Sequence, residues 1–273
     1  MEADKTYLGN CHCGRFRFEF AAPESHEIVV CDCRLCTKKG YLWLPIDKEA
    51  VRVVRDDKHL KEFKAASVHD KFCGFCGTGV NGEHVRGTLA GKFTINLRAV
   101  QGLNPFELEK SAVKRSAEEP VTDLPAPGPG VQEVASCYCG NVKADLLVPL
   151  PEMQIKEDNC SFCVRTAFVG VYPTKDQVNI LGRGSTFEYL HGRGFNGTAH
   201  CKDCGVNVFS IIHGPDPSIF DKLPPERREK ALEMYHKNMA LRPINVRAFE
   251  GVDLGSVDVK RDDCGTEGYS LDL

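Results

Sequence analysis

The cysteines of this 273-residue chain form two interrupted groups, and the first group opens with C-x-C, continues with C-x-C-x-x-C and closes with C-x-x-C. Its members are Cys11, Cys13, Cys31, Cys33, Cys36, Cys73 and Cys76. Residues i and i+2 of a strand share one face, and C-x-x-C is a usual zinc-ligand spacing. Each spacing therefore brings thiolates within reach of one small soft cation. The alternative is a set of buried or disulfide-bonded cysteines.

The same array returns later in the chain, and this return favours metal binding. An opening pair, a middle triplet and a closing pair recur as Cys137 and Cys139, then Asp158, Cys160 and Cys163, then Cys201 and Cys204. The flanks also repeat, with INLRAVQGL after the first array and INVRAFEGV after the second. The sequence therefore predicts an internal duplication in which one middle ligand is an aspartate.

Length and charge limit the kind of protein that can carry these clusters. A chain of 273 residues suits two domains, each able to bury a core. A formal net charge of -3 supplies no field for nucleic acid, and no segment approaches the roughly 18 apolar residues of a membrane span. The start, MEADKTYLGN, lacks a secretory signal. We expect a soluble cytoplasmic protein, with a nuclear location open, where such cysteines are better metal ligands than disulfide partners.

Period-two alternation predicts mainly β structure in both halves. Phe16, Phe18 and Phe20 alternate with charged residues, which is typical of a half-buried strand. Further strands are predicted in the first half at HEIVVC, KKGYLWLPI and AVRVVR, and in the second half at NVKADLLV, AFVGVYP, QVNILG, TFEYLHG and VNVFSII. The run VHDKFC leads into the closing C-x-x-C pair. The run HLKEFKA is predicted to be a strand or a short helical turn.

These elements predict two tandem antiparallel β domains, at residues 1–113 and 133–273. Residues 114–132 are rich in proline, glycine and charge and predict an extended linker. An insertion at about 214–243 has apolar residues at helical spacing after Pro224 and Pro225, which predicts a helix. We favour packing of this helix on the core over a lid or a dimer surface. Cys264, in the tail, has no counterpart in the first half and is expected to be a free thiol.

The motifs CHCG, CDCRLC followed by KKGY, FCGFCGTG and INLR resemble the glutathione-dependent formaldehyde-activating family, which includes centromere protein V-like proteins. The whole chain resembles a tandem, fungal version of it. The resemblance implies small zinc-stapled, mostly antiparallel β domains. It also implies carbon-sulfur lyase activity, the type reaction being reversible addition of glutathione to formaldehyde to give S-(hydroxymethyl)glutathione. Zinc is the implied cofactor, and glutathione the implied co-substrate.

The resemblance also implies how the ligands divide. The outer four cysteines of each half are expected to hold a structural zinc, and Cys31, Cys33 and Cys36 a catalytic one. Four thiolates close a tetrahedral zinc, whereas three leave a position for water or substrate. Asp158, Cys160 and Cys163 form a harder site, and whether it takes a fourth zinc stays open. We interpret the second domain as structural or substrate-shaping rather than catalytic.

Weaker candidates surround these clusters. Arg34, Lys38 and Lys39 form a cationic edge suited to the carboxylates of a glutathione-like ligand, with solvated surface residues as an equal alternative. Arg98 recurs in the second half as Arg247, which favours a hydrogen-bond ladder over a carboxylate anchor. Five histidines are candidate proton donors, although surface or ligand-supporting roles are favoured for them: His12, His69, His84, His191 and His200.

Two function classes follow from the sequence. One is a zinc-dependent carbon-sulfur lyase that acts on a glutathione or other thiol adduct. The other is a non-catalytic zinc scaffold that binds a protein partner. The complete triplet of Cys31, Cys33 and Cys36 favours the enzyme, since a scaffold needs only the closed sites. The expected partner is a small-molecule thiol or conjugate, with no nucleic acid or membrane, and the electrophile and the oligomeric state stay open.

Overall fold

The computed structural model describes residues 4–120 and 126–263, and both halves are built mainly from strands. The strands of the first half are β1 (Lys5–Asn10), β2 (Phe16–Ala22), β3 (Val29–Cys31), β4 (Trp43–Pro45), β5 (Val51–Asp56), β6 (Leu60–Lys64), β7 (Val68–Cys73), β8 (Gly79–His84), β9 (Phe93–Asn96) and β10 (Val113–Arg115). Those of the second half are β11 (Glu133–Ser136), β12 (Lys143–Leu146), β13 (Ile155–Asp158), β14 (Val169–Val171), β15 (Val178–Leu181), β16 (Thr186–His191), β17 (Asn196–Cys201), β18 (Asn207–Ile212), β19 (Ile244–Asn245) and β20 (Val259–Asp262). The α-helices are α1 (Arg34–Lys39), α2 (Pro105–Ser111), α3 (Ser161–Thr166) and α4 (Pro225–Met239).

The two halves have the same sheet topology. In the described residues the small sheets have the orders β1-β2-β5 and β11-β12-β15. The large sheets have the orders β10-β3-β4-β9-β8-β7-β6 and β20-β13-β14-β19-β18-β17-β16. These orders correspond strand for strand, which confirms the mainly β fold class in two sheet-rich bodies. Their pairs are antiparallel except at one edge of each large sheet, where β10 joins β3 and β20 joins β13 in parallel.

The local sequence explains where the strands and the helix near the middle triplet begin and end. The alternation in β2 is as predicted, with Phe16, Phe18 and Phe20 all buried. The strand predicted at KKGYLWLPI begins later, because Lys38 and Lys39 belong to α1. Gly40 ends that helix in the left-handed conformation at φ 58°, which a residue with a side chain adopts only at a cost.

The predicted linker begins later than its composition indicates. Residues 113–115 form β10, which pairs with β3 so that Val113 lies opposite Val29. Ala117 is buried, and its backbone N–H donates to Asp32 Oδ1 at 2.7 Å. The boundary drawn at residue 114 is therefore too early, since backbone pairing holds a segment that has little to bury. Cys264 lies outside the described residues.

The predicted helix of the insertion is present as α4, but its expected packing on the core is wrong. None of the fifteen described residues of α4 is buried, and Met234 is 57% exposed. Tyr235 packs edge-on against Phe220, which lies in the turn just before the helix. The apolar stripe therefore covers a neighbouring turn of the insertion rather than the domain core.

Two buried cations cross between the halves at equivalent positions. Lys38 donates to the carbonyl of Ser136 at 3.0 Å and to Glu250 Oε1 at 2.9 Å. Arg165, two residues after Cys163 as Lys38 is after Cys36, donates to the carbonyl of Asn10 at 3.3 Å. Ser136 and Asn10 each precede the opening C-x-C pair of their own half. Each half therefore holds the start of the other half's cysteine array.

Apolar side chains of both halves share the core. Leu35 and Trp43 of the first half cluster with Val206 and Ile244 of the second. Phe162 of the second half lies in the cluster that otherwise contains mostly first-half side chains. The halves therefore pack as one body. No helix in residues 4–120 and 126–263 is both long enough and apolar enough to cross a membrane.

Lys38→Met tests the cation that joins the halves. The change leaves the carbonyls of Ser136 and Ala248 without their donor, so we expect a loss of about 3 kcal/mol in stability. For a chain of this size that is a fall of roughly 6–12 °C in melting temperature by calorimetry. Lys64→Met, at an exposed lysine, is the control and should change the melting temperature by less than about 2 °C. Equal shifts in the two variants would contradict the structural role of Lys38.

Candidate metal centres and the pocket beside them

Four thiols of the first half lie close together where the small sheet adjoins the large sheet. Cys11 and Cys13 follow β1, Cys73 ends β7, and Cys76 lies in the turn before β8. The Sγ atoms of Cys11 and Cys13 are 3.5 Å apart and those of Cys13 and Cys73 are 3.7 Å apart. Sulfurs bound to one tetrahedral zinc at about 2.3 Å lie about 3.8 Å from each other. This donor set therefore fits a closed, four-thiolate zinc site.

The second half repeats this arrangement with Cys137, Cys139, Cys201 and Cys204. Adjacent Sγ atoms are again 3.5 Å apart, between Cys137 and Cys139 and between Cys139 and Cys201. All four sulfurs lie within 4.8 Å of one another. The second four-thiol group therefore also fits zinc.

Glycine permits the turn that closes each four-thiol group. Gly77 and Gly205, which follow the last cysteine of each array, have φ of 78° and 71°. A Cβ at Gly77 would fall 2.1 Å from the ring of His200. A Cβ at Gly205 would fall 2.7 Å from the ring of Phe72. Glycine is therefore required at both positions for two reasons. It adopts the positive φ of the turn, and it leaves room for the side chain of the other half.

Cys31, Cys33 and Cys36 form a buried three-thiol group at the junction of β3 and α1. Cys31 ends the strand, Cys33 caps the helix, and Cys36 lies in its first turn. Each residue is at most 2% exposed. The thiols of Cys33 and then Cys36 lower the pKa of Cys31. Burial, followed by its two neighbours, raises the pKa of Cys36, so a cation is needed for all three to be thiolates together.

Two further side chains of the large sheet contact the three-thiol group. The indole N–H of Trp43 donates to Cys36 Sγ at 3.2 Å. His84 lies beside Cys31 and adds to the lowering of its pKa, after the larger effects of Cys33 and Cys36. Neither ring nitrogen of His84 has a partner at ordinary hydrogen-bonding distance among the described residues. This buried imidazole is the histidine, of the five considered from sequence, that adjoins the triplet.

Asp158, Cys160 and Cys163 form the equivalent group of the second half, in a different environment. All three residues are half-buried, and the two sulfurs are 2.9 Å apart. The Asp158 carboxylate accepts the backbone N–H of Cys160 at 2.5 Å. Counting from the cysteines, Gly170 stands where the first half has Trp43, and Ile212 where it has His84. The second group therefore keeps a metal-binding geometry but lacks the supporting indole and imidazole.

A cavity of about 930 Å³ opens onto the first triplet and is lined by both halves. Cys31 and Cys36 lie in its wall on the first-half side. The opposite wall is the segment from Phe249 to Gly255 together with Val259 and Arg261. Pockets of this size accommodate drug-sized organic ligands. The sequence patterns did not predict the segment at Phe249–Gly255 as part of a site, because it lies more than 200 residues from Cys36.

The predicted cationic edge already has carboxylate partners. Arg34 donates to Glu250 Oε1 at 2.7 Å, and Lys38 donates to the same oxygen. Lys39 is buried against Asp70 at 2.5 Å and does not line the 930 Å³ cavity. These partners come from distant parts of the chain and satisfy the charges within the protein.

Arg98 also lies inside the protein. It is 2% exposed, and it donates to the carbonyl of Gly40 at 2.7 Å and to Glu109 at 2.6 Å. Its counterpart Arg247 donates to the carbonyl of Ala167 at 2.9 Å. Both arginines therefore tie a short turn to the end of the helix that follows each middle group, which agrees with the favoured hydrogen-bond role.

The other histidines lie away from the triplet. His12 contacts Tyr189 Oη at 2.8 Å and Ser161 Oγ at 3.2 Å, and burial lowers its pKa to about 4. His191 stacks on Phe162 with ring centroids 4.1 Å apart. Burial also lowers the pKa of His200 to about 4. His69 lies half-buried in β7. His12 therefore joins the two halves, whereas the stacking of His191 lies within the second half.

Comparison with known proteins identifies the first half. Residues 6–108 match the family described as glutathione-dependent formaldehyde-activating enzyme, which confirms for the first half the resemblance drawn from the cysteine motifs. The chain is also similar to the crystal structure of a Rhodobacter sphaeroides protein, with 20% identity and a TM-score of 0.33. That match covers 46% of this chain and 99% of the bacterial one.

Replacing one ligand in each closed cluster should unfold the half that contains it. Structural zinc contributes roughly 10 kcal/mol or more to small metal folds, so Cys76→Ser and Cys204→Ser should each lose a zinc and precipitate or melt early. Elemental analysis and calorimetry on the purified variants measure both effects. Cys163→Ser, in the half-buried second middle group, is the control and should melt close to wild type. Wild-type melting temperature and zinc content in the Cys76 and Cys204 variants would show that these clusters are not structural.

Proposed function

We propose, from a first repeat that belongs to the glutathione-dependent formaldehyde-activating family, that this protein is a carbon-sulfur lyase. Its substrate is the adduct of a thiol with a carbonyl compound, in which the thiol sulfur is bonded to the carbonyl carbon. Glutathione is the thiol that we favour. Cys31, Cys33 and Cys36 form the reaction centre. The observation that carries the proposal is that this buried three-thiol group opens onto a cavity large enough for a thiol conjugate.

The reaction balances without an oxidant or a reductant. In cleavage, the carbon-sulfur bond breaks and its electron pair leaves with the sulfur. The adduct hydroxyl loses its proton as its oxygen becomes the carbonyl oxygen, and the sulfur ends as a thiol or thiolate. The reverse direction adds the thiolate to the carbonyl carbon. Only one proton changes place.

The three cysteines would hold zinc, and the second-half residues shape the space above it. When bound by these three thiolates, zinc would supply Lewis acidity that favours the thiolate form of a thiol. Trp43 fixes the Cys36 sulfur by its N–H, since buried donors near a metal ligand restrict its orientation. The imidazole of His84 lies next to Cys31.

The first-half segment before the linker forms the edge of the cavity. Glu119 accepts the backbone N–H of Arg34 at 2.7 Å, and Asp32 accepts that of Ala117. These bonds hold the segment after β10 beside the triplet. Lys114 lines the cavity with an exposed side chain that has no ion pair or side-chain hydrogen bond among the described residues. It is the cation we assign to a carboxylate of the thiol substrate.

Cys33→Ser and Cys36→Ser test the proposal directly. We expect both variants to lose turnover of S-(hydroxymethyl)glutathione and binding of glutathione, because the reaction centre loses a thiolate. The two closed clusters should keep their zinc, and calorimetry should show that the protein remains folded. Normal turnover in these variants would refute the assignment. Unfolding like that of Cys76→Ser would make the triplet structural and favour a non-catalytic zinc scaffold.

His84→Ile tests whether the imidazole supports the reaction centre. Isoleucine is the residue at the equivalent position of the second half, so the core should accept it. Residues that support metal ligands typically change activity or metal affinity about 10–100-fold when replaced, and we expect a loss of kcat in that range. The melting temperature should not fall, since an unpartnered buried polar ring is removed. His69→Ile, away from the triplet, is the control, and equal kcat in both variants would rule out a role for His84.

A further inference from the structure

The second half presents an apolar surface to the reaction centre of the first half. Val252, Leu254 and Val259 line the 930 Å³ cavity, and each side chain is only partly buried. Phe249 and Val169 lie behind them in the same wall and are almost fully buried. We call Val252, Leu254 and Val259 the apolar wall. Partly exposed apolar side chains in a cavity gain free energy when a ligand covers them.

The first half fixes the position of this wall. Arg34 and Lys38, on the helix that carries Cys36, both bind Glu250, two residues before Val252. Lys38 also donates to the carbonyl of Ala248 at 2.8 Å. The wall is therefore held to the same helix as the reaction centre, and a ligand at the triplet meets a surface that is already in place.

Most charged groups of the cavity have partners within the protein. Lys114 is the exception already assigned to the ligand, and the exposed Asp253, between two residues of the apolar wall, accepts the backbone N–H of Gly255 at 3.0 Å. Glu250 neutralises Arg34 and Lys38, and Arg261 pairs with Glu109 and Glu157. The charged ends of these side chains therefore form ion pairs with each other. A ligand that extends past the triplet towards the second half therefore meets mainly aliphatic carbon.

We propose that the carbonyl half of the adduct carries an apolar group of several carbons, alkyl or aryl, that packs on the apolar wall. This inference rests on the proposed function and names its substrate class. A one-carbon adduct reaches no further than the reacting atom and leaves the wall in contact with water. A longer apolar chain removes Val252, Leu254 and Val259 from water, so the second half acts as the specificity element of the first.

Calorimetric titration with two stable glutathione thioethers tests this substrate class. S-methylglutathione probes the thiol part alone, and S-hexylglutathione adds five methylenes. Burial of only two of these methylenes is enough for about tenfold tighter binding, so we expect S-hexylglutathione to bind wild type at least tenfold more tightly. Val252→Asp should remove this preference and leave the Kd of S-methylglutathione within about twofold. Val54→Asp, at an exposed valine of β5 outside the cavity, is the matched control and should change neither Kd.

Each outcome decides the inference. Equal binding of the two thioethers to wild type overturns it and leaves the proposed function intact. A preference for S-hexylglutathione that survives in both Val252→Asp and Leu254→Asn also overturns it, since the wall is then not its source. Leu254→Asn serves as the second variant if Val252→Asp melts early. Failure of both thioethers to bind overturns the inference, and turnover of S-(hydroxymethyl)glutathione by the same protein decides the proposed function separately.

Discussion

The buried charge of Lys38 and that of Arg165 govern how the two halves fit together. A buried cation that has no contact with water needs hydrogen-bond acceptors close to it. The positions of these acceptors restrict how the two halves can be arranged. Lys38 finds the carbonyl of Ser136 and the carboxylate of Glu250, and Arg165 finds the carbonyl of Asn10. Because Ser136 and Asn10 directly precede the cysteine pairs, the two contacts set the distance between one half's helix and the other half's thiol cluster.

The two halves have the same sheet topology, but their middle groups carry different side chains. The sheets correspond strand for strand, yet the second middle group has lost one thiol and two neighbours, with Asp158, Gly170 and Ile212 at the positions of Cys31, Trp43 and His84. Among the described residues, both halves keep a closed four-thiol group, whereas a buried three-thiol group is present in the first half alone. The second half is then free to form the wall of the cavity.

Sequence predicted most reliably what depends on neighbours in the chain. The C-x-C and C-x-x-C spacings predicted the local pairs and triplets of ligands, because a strand or a turn alone brings such residues together. The alternation in β2 predicts its buried face for the same reason. The joining of two distant pairs into each four-thiol group was implied by the family resemblance and not by spacing. Strand β10 was missed because three residues held by backbone pairing carry no pattern. The packing of α4 was misjudged since an apolar stripe does not say which surface covers it.

The features that sequence could not predict are those made between the halves, and they are also the ones that shape the site. Arg34 and Glu250 are 216 residues apart, and nothing in either flank indicates that they meet. Lysine and arginine next to a metal cluster are ordinarily interpreted as ligand-binding groups, but here their charge is used within the protein. Charge that is already satisfied leaves shape and apolar surface to select the ligand. Under the proposed function, selectivity at the first triplet depends on the tandem arrangement as well as on the three cysteines.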